Sequence, residues 1–328
     1  MVGTKLFQAG ERGIIERLVR GLFASKDVTV PAGVDDAAAL AHAGEQFVLT
    51  SDIMFESTHF PKGMPFEAMG RKIAIANLSD LAAMGARPLA LLIALGLRPD
   101  MELDDLGRIF RGINSTCRKH GCSFVGGDMK RAGELTLSGA AVGVCGKGEL
   151  LLRSNARVGD IVCVTGPLGD AYCGAQIMMG KAAVAKPLAS RLIRAFLHPR
   201  ARIKEARAIA SAKVSAACMD ISDGLFFTAS EVARASGVGI RVFEKKLPFS
   251  PEARRFAHSL MHASPVRLLE WGEDYELLVC LRKKDMARVQ ARVLGAGGKL
   301  IPIGEVIKEK GIFLDDEPVD VHGYDAFA

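Results

Sequence analysis

Aromatic side chains are scarce in this 328-residue chain, at 6% with a single Trp and three Tyr. That scarcity argues against a stacking platform for single-stranded nucleic acid. Charge of one sign is not concentrated either. The formal net charge of +6 is spread along the chain in short runs such as Lys245-Lys246 and Lys283-Lys284, so no basic tract supports nucleic-acid binding. Seven cysteines include no C-x-x-C pair, and several sit inside apolar runs such as Ile161-Val162-Cys163-Val164, the pattern of buried reduced thiols. The apolar run around Leu89–Leu95 falls far short of the roughly 20 residues that span a bilayer. Met1 to Gly13 has no apolar segment of signal-peptide type, so a cytoplasmic location is expected and no membrane partner. The loop G-x-x-x-x-G-K-[ST] and the H-R-D and D-F-G sets are all missing, which disfavours a P-loop enzyme and a protein-kinase fold.

What remains is an ordinary globular composition, 49% hydrophobic and 24% charged, with 35 glycines. The length predicts two domains of roughly 150 residues each. In the first half Phe47-Val48-Leu49 reads as a short strand ending at Thr50-Ser51-Asp52, and helices are predicted over 66–84 and 104–119. A strand over 122–125 ends at Gly126-Gly127-Asp128, and Leu135–Val144 alternates like another. The pattern pauses at Gly146-Lys147-Gly148, which places the boundary between residues 148 and 149. The second half opens with a strand, Asp160–Thr165, a Gly/Pro turn and a helix from Asp170; a strand at Ala216–Met219 then precedes a helix over 225–236. The expected fold class is α/β in two domains, 1–148 and 149–328.

Carboxylates stand where a core is expected. The apolar stripe of the helix at 66–84 runs Phe66, Met69, Ile73, Ala76, and the next inward position is Asp80. A buried carboxylate requires a partner: a hydrogen bond or an ion pair, for instance to Arg71 or Arg87, or a bound cation. Asp52, Asp128, Asp220 and Asp223 each follow an apolar strand-like run, and Asp35-Asp36 form a further pair. One at a time, such residues are explained by helix capping or turns. Together they fall where open α/β folds gather ligands, and their mutual repulsion calls for divalent cations. Magnesium suits an all-oxygen set, whereas no Cys/His spacing suits zinc. The turn Gly166-Pro167-Leu168-Gly169-Asp170 could offer backbone N–H groups to phosphate, but the motif is weak and a plain strand-to-helix turn explains it better.

In the order of its segments the chain closely resembles the thiamine-monophosphate kinase family. That family lies within the superfamily of aminoimidazole ribonucleotide synthetase, selenophosphate synthetase and a hydrogenase maturation protein. The most specific stretches are Asn77-Leu78-Ser79-Asp80-Leu81-Ala82-Ala83-Met84-Gly85-Ala86-Arg87-Pro88 and Gly272-Glu273-Asp274-Tyr275-Glu276-Leu277. Asp35-Asp36-Ala37-Ala38, Thr50-Ser51-Asp52, His59-Phe60, Gly70-Arg71-Lys72, Gly126-Gly127-Asp128, Arg153-Ser154, Asp220-Ile221-Ser222-Asp223-Gly224-Leu225 and Gly323-Tyr324-Asp325 also match. The resemblance implies a homodimer joined through N-terminal sheets, with Mg-ATP held between domains and thiamine monophosphate as acceptor. It implies metal roles for Asp36, Thr50, Ser51, Asp52, Asp80, Asp128, Asp220 and Asp223. Asp36, Asp80, Asp128 and Asp223 would form the catalytic centre. ATP contacts would fall to Gly127, Asp128, Arg153 and Ser222, and substrate contacts to His59, Glu273 and Tyr324. Val34, Met129-Lys130 and Trp271 depart from the family's usual Gly, Thr-Thr and Gly. Two other readings stand beside the kinase: a sister enzyme that activates an amide or carbamoyl group with ATP, and a non-catalytic nucleotide or thiamine-phosphate sensor.

Overall fold

The computed structural model describes residues 6–182, 184–261 and 263–321. Helix α1 (Leu6–Leu18) leads into strands β1 (Val28–Val30), β2 (Ala38–His42) and β3 (Glu45–Phe55), a short helix α2 (Glu56–His59), and the long helix α3 (Phe66–Ala83). Strand β4 (Arg87–Leu97), helix α4 (Leu103–His120) and strands β5 (Ser123–Gly126), β6 (Met129–Arg131) and β7 (Thr136–Gly146) complete the first unit. Its strands form one sheet in the order β1-β2-β3-β7-β4-β5, with β6 also alongside β4. The strand expected to stop at Thr50-Ser51-Asp52 runs on to Phe55. Polar residues end the apolar run in the sequence, yet Thr50 and Asp52 keep the inward alternation of buried Val48 and Met54.

Helix α3 earns its place by composition: it is rich in alanine, starts after Pro65, and ends before Gly85 at φ +74°. Helix α4 carries Asp104 and Asp105 in its first turn and Arg118, Lys119 and His120 in its last, matching the helix dipole. The two helices cross almost backbone on backbone. A Cβ on Gly70 would lie 2.1 Å from the Ile109 carbonyl oxygen, and one on Gly112 would lie 2.0 Å from that of Glu67. Ile73, Leu78, Ile109 and Ile113 are fully buried there, each contributing about 1.5–3 kcal/mol by its removal from water.

The second unit contains β8 (Ile161–Val164), α5 (Asp170–Met178), α6 (Lys186–Leu197), α7 (Ile203–Ala210), β9 (Ala216–Asp220), α8 (Leu225–Ser236) and β10 (Gly239–Val242). After these come α9 (Pro251–Phe256), β11 (Leu277–Leu281), α10 (Lys283–Gly295), β12 (Ile301–Ile307), β13 (Gly311–Leu314) and β14 (Glu317–Pro318). Its sheet runs β14-β13-β10-β12-β8-β11-β9. Both faces of the central strands are buried, so they read as continuous apolar runs. Leu277, Val279 and Leu281 join a core shared with α3 and α4, while Leu278 and Cys280 point into a separate core with Leu225 and Ile240. The shared core seats the end of α3 against β9. All seven cysteines are buried free thiols, and no helix among the described residues is long and apolar enough to cross a membrane.

Candidate active site

Three carboxylates meet where the two units join. Asp36 precedes β2, Asp80 lies in the last turn of α3, and Asp220 ends β9; one oxygen from each lies within 4.8 Å of the others. The inward stripe of α3 therefore delivers Asp80 as its periodicity predicted. The preceding residue contributes as well: Ser79 Oγ donates to Asp220 Oδ2 at 2.6 Å, while Thr50 Oγ1 on β3 donates to Asp80 Oδ2 at 2.5 Å. Asp52, two residues along the same face of β3, has an oxygen that is buried without a hydrogen-bond partner.

Neither Arg71 nor Arg87 answers Asp80. Arg71 is held by Glu67 and the Leu197 carbonyl. Among the described residues no basic side chain forms an ion pair with Asp52, Asp80, Asp220 or Asp223. Their acidities record the strain. Burial, then repulsion by Asp52, Asp220 and Asp36, drives Asp80 well above the usual carboxylate range. Burial and then Asp36 push Asp220 to about 8. Asp52 rises to about 6 through burial and Asp223, and Asp223 rises to about 6, chiefly through burial. Such a set is costly without positive charge, and its all-oxygen donors together with the orphaned Asp52 Oδ2 fit a hard divalent cation.

Asp36 does have a basic partner. Arg153 Nη2 donates to its Oδ1 at 2.6 Å and Nε to its Oδ2 at 3.3 Å, and the Arg153 backbone N–H reaches Asp35 Oδ2 at 3.0 Å. The planar guanidinium of a residue expected to contact ATP thus lies on a carboxylate here. Burial still raises Asp36, with Arg153 opposing it, and burial followed by Asp36 raises Asp35 to about 7.

Two members of the expected set lie apart from the triad. Asp128 is the exposed one among its carboxylates, with 64% of its side chain accessible and Lys130 Nζ 3.1 Å away. It follows Gly126-Gly127, whose second glycine packs against the Ile93 carbonyl, in the short link between β5 and β6, and Lys130 on β6 supplies its partner. Ser51 sits on β3 between Thr50 and Asp52, so the strand's alternation turns its side chain to the exposed face.

The late acidic motif divides its labour. Asp274 accepts the Gly169 N–H at 3.0 Å, which occupies the turn that could have served phosphate. Glu276 accepts from Thr165 Oγ1 at 2.6 Å and pairs with Arg202. Glu273 and Tyr275 hold positive φ, +73° and +51°, an uncommon conformation for such side chains. It persists because Glu273 N–H donates to the Ser222 carbonyl at 2.8 Å and Tyr275 N–H to that of Ile221 at 3.0 Å. Gly272 permits this approach, since a Cβ there would lie 1.5 Å from the Ser222 oxygen. Ser222 Oγ itself donates to Asp223 Oδ2 at 3.1 Å.

Glu273 and His59 come together through Lys72, a residue to which the sequence reading gave no role. Lys72 Nζ lies 2.6 Å from Glu273 Oε1 and donates to the His59 carbonyl at 3.0 Å. Its signal was present: like Asp80, it is a charge on the inward face of α3. Tyr324 lies outside the described residues.

Comparison with known proteins decides the family. Residues 34–145 match the model for AIR synthase related protein, N-terminal domain, and residues 157–317 that for its C-terminal domain. A thiamine-monophosphate kinase of Aquifex aeolicus is 32% identical over 324 residues, covering 98% of this chain and 100% of the relative. The chain belongs to the thiamine-monophosphate kinase family. Another member, from Methanopyrus kandleri, is 36% identical over 82% of this chain and 84% of its own length. Among solved members of the family, AaThiL complexed with AMPPCP and TMP superposes with a TM-score of 0.88 at 30% identity, covering 99% of this chain and 100% of that one. The thiamine-monophosphate kinase of Stenotrophomonas maltophilia gives 0.77 at 29%, over 93% and 95%. The hydrogenase maturation protein HypE of E. coli, at 0.69 and 21% identity, shares the fold.

Proposed function

We propose that the chain transfers the γ-phosphoryl group of ATP to thiamine monophosphate, with magnesium, giving thiamine diphosphate and ADP. The observation that carries this reading is the cluster of Asp36, Asp80 and Asp220, buried together without enough positive charge of its own. A phosphate-to-phosphate transfer needs that arrangement more than it needs a base. The second pKa of a phosphate monoester is about 6, so the attacking oxygen is already ionised at neutral pH. Bringing two polyanions into line is the harder task. Asp36, Asp80 and Asp220 would hold magnesium, with Asp52 and Asp223 beside them, and the ion would neutralise charge on the phosphates. Thr50 and Ser79 orient the carboxylates through the hydrogen bonds described above. Glu273 supplies a carboxylate suited to the thiazolium cation, and Arg153 a guanidinium beside the acidic set. AaThiL, similar over the whole chain, is a protein whose complex holds AMPPCP and TMP.

We further propose a division at residues 148 and 149, and a homodimer through the outer face of the first sheet. That face exposes Leu49, Ile53, Phe55 and Leu92 across β3 and β4, an apolar patch of the kind that marks an interface. Seven reduced thiols suit a cytoplasmic address.

Incubation of the full chain with ATP, magnesium chloride and thiamine monophosphate should yield thiamine diphosphate and ADP in equal amounts, and EDTA should stop both. ADP release without thiamine diphosphate, or turnover that survives EDTA, would overturn the proposal. Net retention of configuration at a chiral γ-phosphorus would exclude direct in-line transfer.

A further inference from the structure

The ammonium of Lys72 is almost fully buried, with 3% of its side chain accessible, at the seam between the two units. Three groups receive it. Glu273 Oε1 lies at 2.6 Å, the His59 carbonyl accepts at 3.0 Å, and the Phe196 ring centroid is 4.7 Å away. A buried ammonium without such partners is strongly disfavoured, so the contacts hold one another in place. Glu273 retains 22% of its side-chain surface, enough to meet a ligand. Its backbone N–H donates to the Ser222 carbonyl at 2.8 Å, which sets it beside Asp223, a neighbour of like charge in the acidic cluster.

We propose that Lys72 is a positioning residue for the acceptor substrate: it holds the Glu273 carboxylate away from the metal-binding aspartates and presents it, beside His59, to a cationic ring. The inference rests on the kinase reading and deepens it, by naming what keeps two neighbouring negative sites distinct. Without Lys72, Glu273 is one more oxygen donor near a divalent cation and no longer a fixed counter-charge. His59 contributes as a neutral partner, because burial and then the Lys72 ammonium keep it below its ordinary value. A lysine that merely stapled the two units together would affect ATP and thiamine monophosphate alike.

The test compares wild type, Lys72→Met, Lys72→Arg, Glu273→Gln and the Lys72→Met/Glu273→Gln double variant in steady-state kinetics. Thiamine monophosphate binding is followed in parallel through the fluorescence of Trp271, the sole tryptophan, two residues from Glu273. Lys72→Met should raise KM for thiamine monophosphate by about 10-fold or more while KM for ATP stays within about 2-fold. Lys72→Arg should recover part of the loss, since it restores the charge. The double variant should be no worse than Glu273→Gln alone, because the lysine acts through the glutamate. Equal losses for both substrates, an unchanged or lower KM for thiamine monophosphate, or additive losses in the double variant would overturn the proposal. A wild type that binds thiamine monophosphate without turning it over refutes the kinase reading alone, and the binding comparison then still tests Lys72.

Discussion

Replacing Asp220 by Asn should make the cation-free protein more stable while removing its response to magnesium. Asp220 is buried beside Asp36, Asp80, Asp52 and Asp223, and its carboxyl is pushed from 3.8 to about 8. A folded-state value above the unfolded one means that the fold binds the proton more tightly. Stability from this group is therefore fully present below pH about 4 and is lost as pH rises through about 8. Taken alone, the difference corresponds to about 5–6 kcal/mol at about 1.4 kcal/mol per pH unit. One substitution recovers only part of it, because the amide buried in its place carries a desolvation cost of its own. About 2–3 kcal/mol is a reasonable expectation at pH 8 in EDTA, or roughly 3–4 °C in Tm for a chain of this size. The Asn oxygen can keep the Ser79 hydrogen bond. Differential scanning calorimetry of both proteins between pH 5 and 8, with EDTA or magnesium, reads the effect. Wild type should gain from magnesium above pH 7, and D220N should gain little. If D220N is the less stable protein in EDTA at pH 8, or if magnesium raises both melting points equally, the carboxylates do not repel one another for want of a cation and the reasoning fails.

Magnesium binding at pH 7 should release protons, since burial and mutual repulsion raise Asp80 and push Asp220 to about 8 in the cation-free site; calorimetric titration in buffers of different ionisation enthalpy measures the number. Gly272→Ala places a methyl 1.5 Å from the Ser222 oxygen, so it should destabilise the protein by about 2–4 kcal/mol and abolish activity, as a thermal melt and a turnover assay would show. The pair Ile53→Lys and Leu92→Lys, on the outer sheet face, should convert a dimer to monomer by light scattering with little loss of monomer stability; an unchanged mass would remove this face as the interface.

Local physics made much of the frame legible. Helix periodicity placed the residues of α3, α4 and α8 to within one position, and the same periodicity aimed Asp80 inward. Asp220 and Asp223 were legible because an apolar strand followed by an Asp-rich turn is a local pattern. The length of β3 was not, because Thr50 and Asp52 look like loop residues until their inward face is seen to line a polar site. Asp128 read as one more carboxylate after a strand, and only the folded chain showed it at the surface on Lys130.

What the sequence determined by itself was therefore chemistry and period: which helix face is apolar, which acids interrupt it, and the family motifs that carry them. Which charges answer one another was decided by tertiary structure alone. Lys72 and Glu273, Arg153 and Asp36, and Ser79 and Asp220 are separated by 201, 117 and 141 positions. Hydrophobic periodicity acts over a few residues, whereas electrostatic pairing depends on distances that exist only once α3 is packed between the two sheets.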